Sequence, residues 1–366
     1  CNQFNEVILD SLIENKTKIK TKKNLSIIQF IKNKTRPLFL FFLILKSIIP
    51  EIFFSRFTKS ISSIKIKKSN PITLLDTFVI STSFNKKSYS DRYYTGAISK
   101  IEESISKNIF YLPSFVGIKL HQYFQFFKKI RKHKNFILKE DYLKISDYVW
   151  ALKEMLSIRE KSKILKYKSF FFSGYNMTRI ISDELKKMFI NDQSFKALLN
   201  YRFVKRLKEA GINVRLLVDW NENQLVDRGL NKGFKIFFPE TKTIAYQGFI
   251  VDYQYHLYLK PTEYEVKNGF LPQKYCMMGD GYKNIINEYS KSLKVFKSPA
   301  FRYQRLWEDS KPLEKDLKIM VSFPIQMKIV KQILIFLNNA FKNSQIPFKL
   351  YLKPHPTNDI KKIKYF

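Results

Sequence analysis

The chain reads as an α/β protein built from two parallel-sheet domains, the second entered and not completed. Three observations predict this. Short β-branched apolar runs are each followed at once by a polar loop, helix-like stretches separate consecutive runs, and a late polar segment with a proline precedes a fresh strand–helix–strand unit. The 366 residues also exceed what one ordinary core needs.

Residues 1–70 are basic and helix-like, with Ile8, Leu9, Leu12 and Ile13, then Ile27, Ile28, Phe30 and Ile31, at helical offsets. Within them 37–54 (PLFLFFLILKSIIPEIFF) is strongly apolar but broken by Lys46, Pro50 and Glu51. The clean run of about ten residues is half of what a spanning helix requires. Two readings stay open: a core helix, or an interfacial helix whose flanking Lys32, Lys34, Arg36, Lys46 and Arg56 meet anionic headgroups.

The first α/β domain is expected over 71–307. A strand at 74–82 leads into a loop with Tyr89, Asp91, Arg92, Tyr93, Tyr94 and Gly96, then a helix to Lys107 and a strand at 108–116. A helical insertion, about 119–207, interrupts or covers the sheet. The rhythm resumes with strand 213–220 (NVRLLVDW), loop 221–224, a helix to 237, strands 243–247 and 274–278, Gly279-Asp280-Gly281, a helix over 282–291 and strand 293–296. A linker at 308–315 opens the second domain, 316–366, with strand 317–323, helix 326–341, strand 348–352 and loop 353–358. Cys1 in place of an initiator Met, and a stop shortly after a strand, read as cut ends.

Sixty-six Lys and Arg against 31 Asp and Glu give a formal charge of +35. The positive residues lie in short runs such as 16–23, 65–68 and 128–134, without a base-reading helix, zinc finger or stacking platform, so nucleic acid is not the expected partner. Richness in Lys, Asn, Ile and Phe with only 10 Gly points to coding bias behind much of the charge; an anionic membrane surface or a phosphate-bearing substrate accounts for the rest. Two cysteines, Cys1 and Cys276, form no disulfide framework, and the compartment expected is cytoplasmic, with peripheral attachment to the inner face of the membrane open. There is no Gly-x-Gly-x-x-Gly and no phosphate-binding Gly-Lys-Ser/Thr loop, and His121, His133, His256 and His355 are scattered, so no cofactor and no metal are expected.

The most specific local signal is Lys353-Pro354-His355-Pro356 directly after a strand. Ligands of open α/β domains bind at the carboxyl ends of strands, and the prolines present the ammonium and imidazole with little freedom to lose. The plain alternative is a proline-stiffened turn. Ser322, at the end of the preceding strand, faces the same end, where helix N–H groups suit a phosphate; Arg302 is a candidate for a donor diphosphate. In the first domain Glu222 follows a strand almost directly and suits a general base, with Asn223 and Gln224, and Gln247 after the next strand, as acceptor contacts. The same residues, 221–224, also suit the cap of the following helix, and Asp227 with Arg228 reads as a structural pair.

The Lys353-Pro354-His355-Pro356 motif resembles that of bacterial GT-B transferases of surface polymers: teichoic-acid glycerophosphotransferases, capsule Kdo-transferases and polysialyltransferases. The resemblance implies that His355 and Pro356 contact a CMP- or CDP-linked donor, with Lys353 beside its phosphate. Trp220-Asn221-Glu222-Asn223-Gln224, Asp227-Arg228-Gly229, Tyr246-Gln247-Gly248 and 298–303 (SPAFRY) resemble a second family, of bacterial surface carbohydrate biosynthesis proteins. Together they imply a GT-B-like, metal-independent, inverting transferase moving a sugar or polyol phosphate from a nucleotide-activated donor to a glycan or lipid-linked acceptor. Competing expectations are a non-catalytic membrane-associated assembly protein and a nucleotide-sugar epimerase, since fold does not fix function.

Overall fold

The computed structural model describes residues 42, 46, 48–61, 66, 70–80, 83, 84, 89, 91–133, 135–163, 169–172, 174–187, 192–250, 259–304, 317–345, 347–355, 358 and 360–363. The linker expected at 308–315, most of the basic segment 1–70 and Pro356 lie outside these residues. Two compact units are present, Cys1–Arg302 and Tyr303–Phe366.

The first unit is built on strands β1 (Ile72–Val79), β2 (Ile109–Phe115), β5 (Val214–Trp220), β6 (Lys242–Gln247), β7 (Lys274–Met278) and β8 (Lys294–Ser298). A two-residue-per-strand hairpin, β3 (Phe171–Phe172) and β4 (Tyr175–Asn176), lies within the insertion. The six long strands form one sheet in the order β2-β1-β5-β6-β7-β8, and every pair is parallel. A parallel sheet must be covered on both faces. Successive side chains of β1 therefore feed two cores: Ile72 and Leu74 pack with Phe203, Leu207, Leu230 and Phe234, whereas Leu75 and Val79 pack with Phe126, Phe127, Ile130 and Trp220. Helices Ile145–Lys163, Asp192–Glu209 and Leu225–Phe237 belong to the first face and Tyr123–Arg131 to the second. The helical insertion thus covers the sheet.

Residues 48–57 form a helix inside the stretch that sequence left open between core and interface. Ile48 and Ile52 join the core, as the core-helix reading expects, while Ile49, Phe53 and Phe57 are exposed on the opposite face. Buried Arg131 fastens this helix: its guanidinium donates to Asp141 and to the Ser55 carbonyl at 3.0 Å. Helix Asp192–Glu209 is fastened to Ile145–Lys163 through Asp147, fully buried, which accepts from Arg202 and Arg206 at 2.7 Å each. Burial raises that carboxyl, but Arg206, the Lys144 amide and Arg202 outweigh it and hold its pKa below the usual range.

Two expected elements differ. The helix expected over 282–291 is only Lys283–Ile286, because the Asn287 side chain donates to the Ser290 and Leu293 carbonyls and turns the chain into β8. Lys353, expected in a loop, is the last residue of a strand. The second unit contains a strand–helix–strand, β9 (Lys318–Ser322), helix Met327–Phe341 and β10 (Lys349–Lys353), with β9 and β10 paired in parallel, followed by a short helix Ile360–Ile363. Val330 and Leu337 turn inward from the helix.

Gly229 and Gly233 set the closest helix contact of the first unit. A Cβ at Gly229 would overlap the Ala197 carbonyl, and one at Gly233 would lie 2.9 Å from the Val204 side chain. Alanine's better helix propensity is worth about 1 kcal/mol, so a net loss isolates the clash. Gly229→Ala is expected to lose about 1–3 kcal/mol in denaturant unfolding, with Gly281→Ala, which meets open space, changed by less than about 0.5 kcal/mol. Equal midpoints for both variants would mean that the helices are not in backbone contact.

Candidate functional site

In a doubly wound sheet the crevice for ligands opens at the carboxyl ends of the two strands where the winding reverses. From β1 the chain goes outward to β2; from β5 it proceeds the other way through β6, β7 and β8. The reversal therefore lies between β1 and β5; the described residues that follow β1 before the next helix include Ser83, Phe84, Tyr89 and the loop 91–96, and β5 leads into the loop 221–224.

The second loop is a four-residue turn into helix Leu225–Phe237. Asp227, at the third helical position, accepts from the amides of Gln224 at 2.9 Å and Glu222 at 3.0 Å. The cap is thus Gln224 held by Asp227, not Asn221. Asn221 instead accepts from the Asn223 amide at 3.1 Å and from the Tyr275 hydroxyl, while Asn223 takes the left-handed backbone conformation, φ 50°. With the backbone so occupied, the Glu222 side chain stands clear. The Trp220 indole donates to Oε1 at 3.1 Å and the Gln224 amide to Oε2 at 2.7 Å. Two of the roughly four acceptor positions of a carboxylate are used and the rest remain.

Trp220 meets Tyr93 from the other loop, ring centroids 4.4 Å apart. The guanidiniums of Arg92 and Arg302 each lie 5.6 Å from the centroid of that Tyr93 ring. Burial raises the Tyr93 phenol, Arg92 and Arg302 lower it, and Glu222 raises it, so carboxylate and guanidiniums act on one ring. Arg302 and Glu222, expected from sequence, thus come to one place, joined by Arg92 and Tyr93, which sequence noted only as loop residues.

Near the loop lie three carboxyls, of which the sequence pointed to Asp227 alone, and only as half of a structural pair. Asp76 and Asp219 stand one residue beyond the paired Leu75 and Val218 on adjacent strands, and Asp227 lies above them. Asp219 Oδ2 accepts from Asn221 at 3.0 Å and Asn231 at 2.7 Å. Burial pushes Asp219 up to about 6; Asp76 and Asp227 are raised well above the carboxylate range by burial and by the charges of their neighbours. A signal existed: an Asp set inside a largely apolar strand, in LLDTFV and again in VRLLVDW.

The remaining expected residues fall as follows. Asn223 and Gln247 are buried, and Gln247 ends β6. Asp227 and Arg228 do not pair with each other: Arg228 bridges to Glu265 at 2.5 Å. In the second unit Ser322 and Lys353 are register partners at the ends of β9 and β10, both exposed. The loop holding His355 is tied to the end of β9, since Asn358 donates to the Pro324 carbonyl at 2.9 Å and to the His355 carbonyl at 2.8 Å. Among the described residues, no group of three or more His, Cys, Asp or Glu is arranged to hold a metal ion.

Beside the turn, on the face of Leu74 and Leu217, a cavity of about 150 Å³ opens at the ends of β1 and β2, with Glu51, Lys139, Glu140, Tyr148, Lys196 and Gln224 in its wall. A larger hollow of about 850 Å³ lies at the opposite end of β5 and β6, away from every candidate residue. Compared with known proteins, the chain matches no family model, no curated protein and no solved structure.

Burial, with the charge of Glu51, pushes Glu140 up to about 7 from the ordinary 4.5. The folded state then holds this proton more tightly than the unfolded chain, so stability falls as pH rises from about 4.5 to about 7 and is level outside that window. Glu140→Gln removes the titration. The variant is expected to match the parent below pH 4.5 and exceed it at pH 8 by about 3 kcal/mol. Parallel unfolding curves across the whole pH range would refute the buried, raised carboxyl.

Proposed function

We propose that this chain is an inverting, metal-independent glycosyltransferase-type enzyme of GT-B architecture acting in bacterial surface polysaccharide biosynthesis. It moves a sugar or polyol phosphate from a nucleotide-activated donor to a glycan or lipid-linked acceptor. The observation that carries the reading is Glu222, held by Trp220 and Gln224 at the point where the winding of the sheet reverses, near two guanidiniums. Glu222 removes the proton of the acceptor hydroxyl as that oxygen attacks the anomeric carbon or phosphorus; the departing phosphate carries away the bond's electron pair. Arg92 and Arg302 supply positive charge beside this carboxylate. In the second unit Lys353 and Ser322 share one sheet end with the His355 loop and the start of helix Met327–Phe341, a grouping suited to a donor phosphate.

Titration calorimetry with CMP, CDP, UDP and GDP is expected to show one preferred nucleotide, its binding lost in His355→Ala. Glu222→Gln should keep that affinity and lower turnover about 10²–10⁴-fold. Retained turnover would remove Glu222 from the mechanism, and no nucleotide binding at millimolar concentration would remove the donor site.

A second feature favours work at a membrane surface on the cytoplasmic side. Among the described residues no helix is long and apolar enough to cross a membrane. The outer face of helix 48–57 nevertheless exposes Ile49, Phe53 and Phe57, with the Phe53 and Phe57 rings stacked at 6.1 Å and exposed Lys46, Arg56 and Lys59 beside them. Sedimentation with vesicles is expected to show binding to anionic but not zwitterionic lipid, weakened by salt and by Phe53→Ser with Phe57→Ser. Binding unaffected by either change would assign it to other parts of the chain.

A further inference from the structure

The cavity beside the turn is a built polar site that the donor chemistry does not use. Its titratable wall consists of two carboxyls, Glu51 and Glu140, two ammonium groups, Lys139 and Lys196, and the Tyr148 phenol. Three of these groups are held in place. Glu51 accepts from the Tyr123 hydroxyl at 3.3 Å, Lys139 donates to Asn200 at 2.9 Å, and Lys196 pairs with Asp192 at 3.1 Å. The wall holds groups of both signs, with Lys196 ion-paired to Asp192 and Lys139 bonded to a neutral amide, and donors and acceptors facing one another suit a molecule that offers both, as sugar hydroxyls do. Apolar Ile48, Phe78 and Leu143 complete the wall and suit the C–H faces of a ring. A volume of about 150 Å³ is room for roughly five waters, hence for one ring rather than a chain of them.

Gln224 links the cavity to the chemistry. It lines the wall, and its amide donates to the Glu222 carboxylate at 2.7 Å. We infer that this cavity is the acceptor subsite: it takes one uncharged pyranose ring and presents a ring hydroxyl on the side of Gln224 and Glu222. The inference rests on the transferase reading for the word acceptor, but the binding of the ring stands on the cavity alone.

The test is therefore made without nucleotide. Saturation-transfer NMR on the whole chain would use the methyl glycosides of glucose, galactose, rhamnose and N-acetylglucosamine, with glucose 6-phosphate as the charged control. At least one neutral glycoside is expected to saturate and to compete with the others. Its affinity should fall about tenfold or more in Glu140→Ala and in Tyr148→Phe, the second deleting one hydroxyl and leaving the fold intact. Glucose 6-phosphate should bind more weakly than its neutral parent. Affinity unchanged in Tyr148→Phe and in a folded Glu140→Ala, tighter binding of the phosphate, or no saturation by any neutral glycoside would each overturn the inference. If transfer from a nucleotide donor is seen while the cavity variants leave the acceptor KM unchanged, the subsite fails and the transferase stands. If neutral rings bind through these residues and no donor is ever consumed, the subsite stands and the transferase fails.

Discussion

A sheet strand cannot turn into a helix without exposing amides, and in a buried corner every one of them must find a partner. The turn from β5 into helix Leu225–Phe237 meets this demand in four residues by reaching forward: the Asp227 carboxylate takes two amides, Asn221 takes a third, and Asn223 accepts the left-handed conformation that closes the loop. Once these partners are fixed, the side chains of Glu222 and Gln224 are left to project, joined to each other at 2.7 Å. The orientation of Glu222 is then set by Trp220, whose ring is clamped among Tyr93, Tyr94 and Tyr246 at centroid distances of 4.4, 6.0 and 5.6 Å. Catalytic geometry, on the reading proposed above, is a by-product of how a backbone corner is satisfied.

The same corner concentrates negative charge where water is scarce. On top of burial, Asp219 raises Asp76, and Asp219 and Asp76 raise Asp227, while Asp219 accepts from the amide side chains of Asn221 and Asn231. A buried carboxyl without a cationic partner stays neutral more readily than it ionises. For Asp76 and Asp227 the protonated form is the one the position favours, which lessens the negative charge near Glu222. The two guanidiniums on Tyr93 bring positive charge to the same ring that Glu222 acts on.

Much of this architecture was legible. Strands β1, β2, β5, β6, β7 and β8 announced themselves as apolar runs because a parallel sheet is buried on both faces, and the turn at 221–224 followed from the run before it and the helix after it. Convergence was not legible. Arg92 and Arg302 are distant in sequence, and what joins them is the Tyr93 ring. Glu51, Glu140 and Gln224 come from three segments whose meeting depends on how the insertion folds back over the sheet. Periodicity records which face of an element is buried, not which element buries it. Nor does it separate a helix from a helix stopped by a side chain, as at Asn287.

Composition and placement together decide what the charge means. A chain with 66 basic and 31 acidic residues might be thought to keep its few carboxyls at the surface, where they would balance the lysines at no cost. Instead Glu51, Asp76, Glu140, Asp219, Glu222 and Asp227 are gathered around the carboxyl ends of β1, β2 and β5, five of them with raised pKa. Coding drift toward lysine changes exposed positions, where substitution costs little; it has no tendency to bury acids. Groups whose burial costs stability persist where they act together, and strongly shifted carboxyls in one crevice mark such places. The positive charge is therefore the less informative half of the sequence. These six acids, gathered at one end of the sheet, mark the crevice on which the proposed chemistry rests.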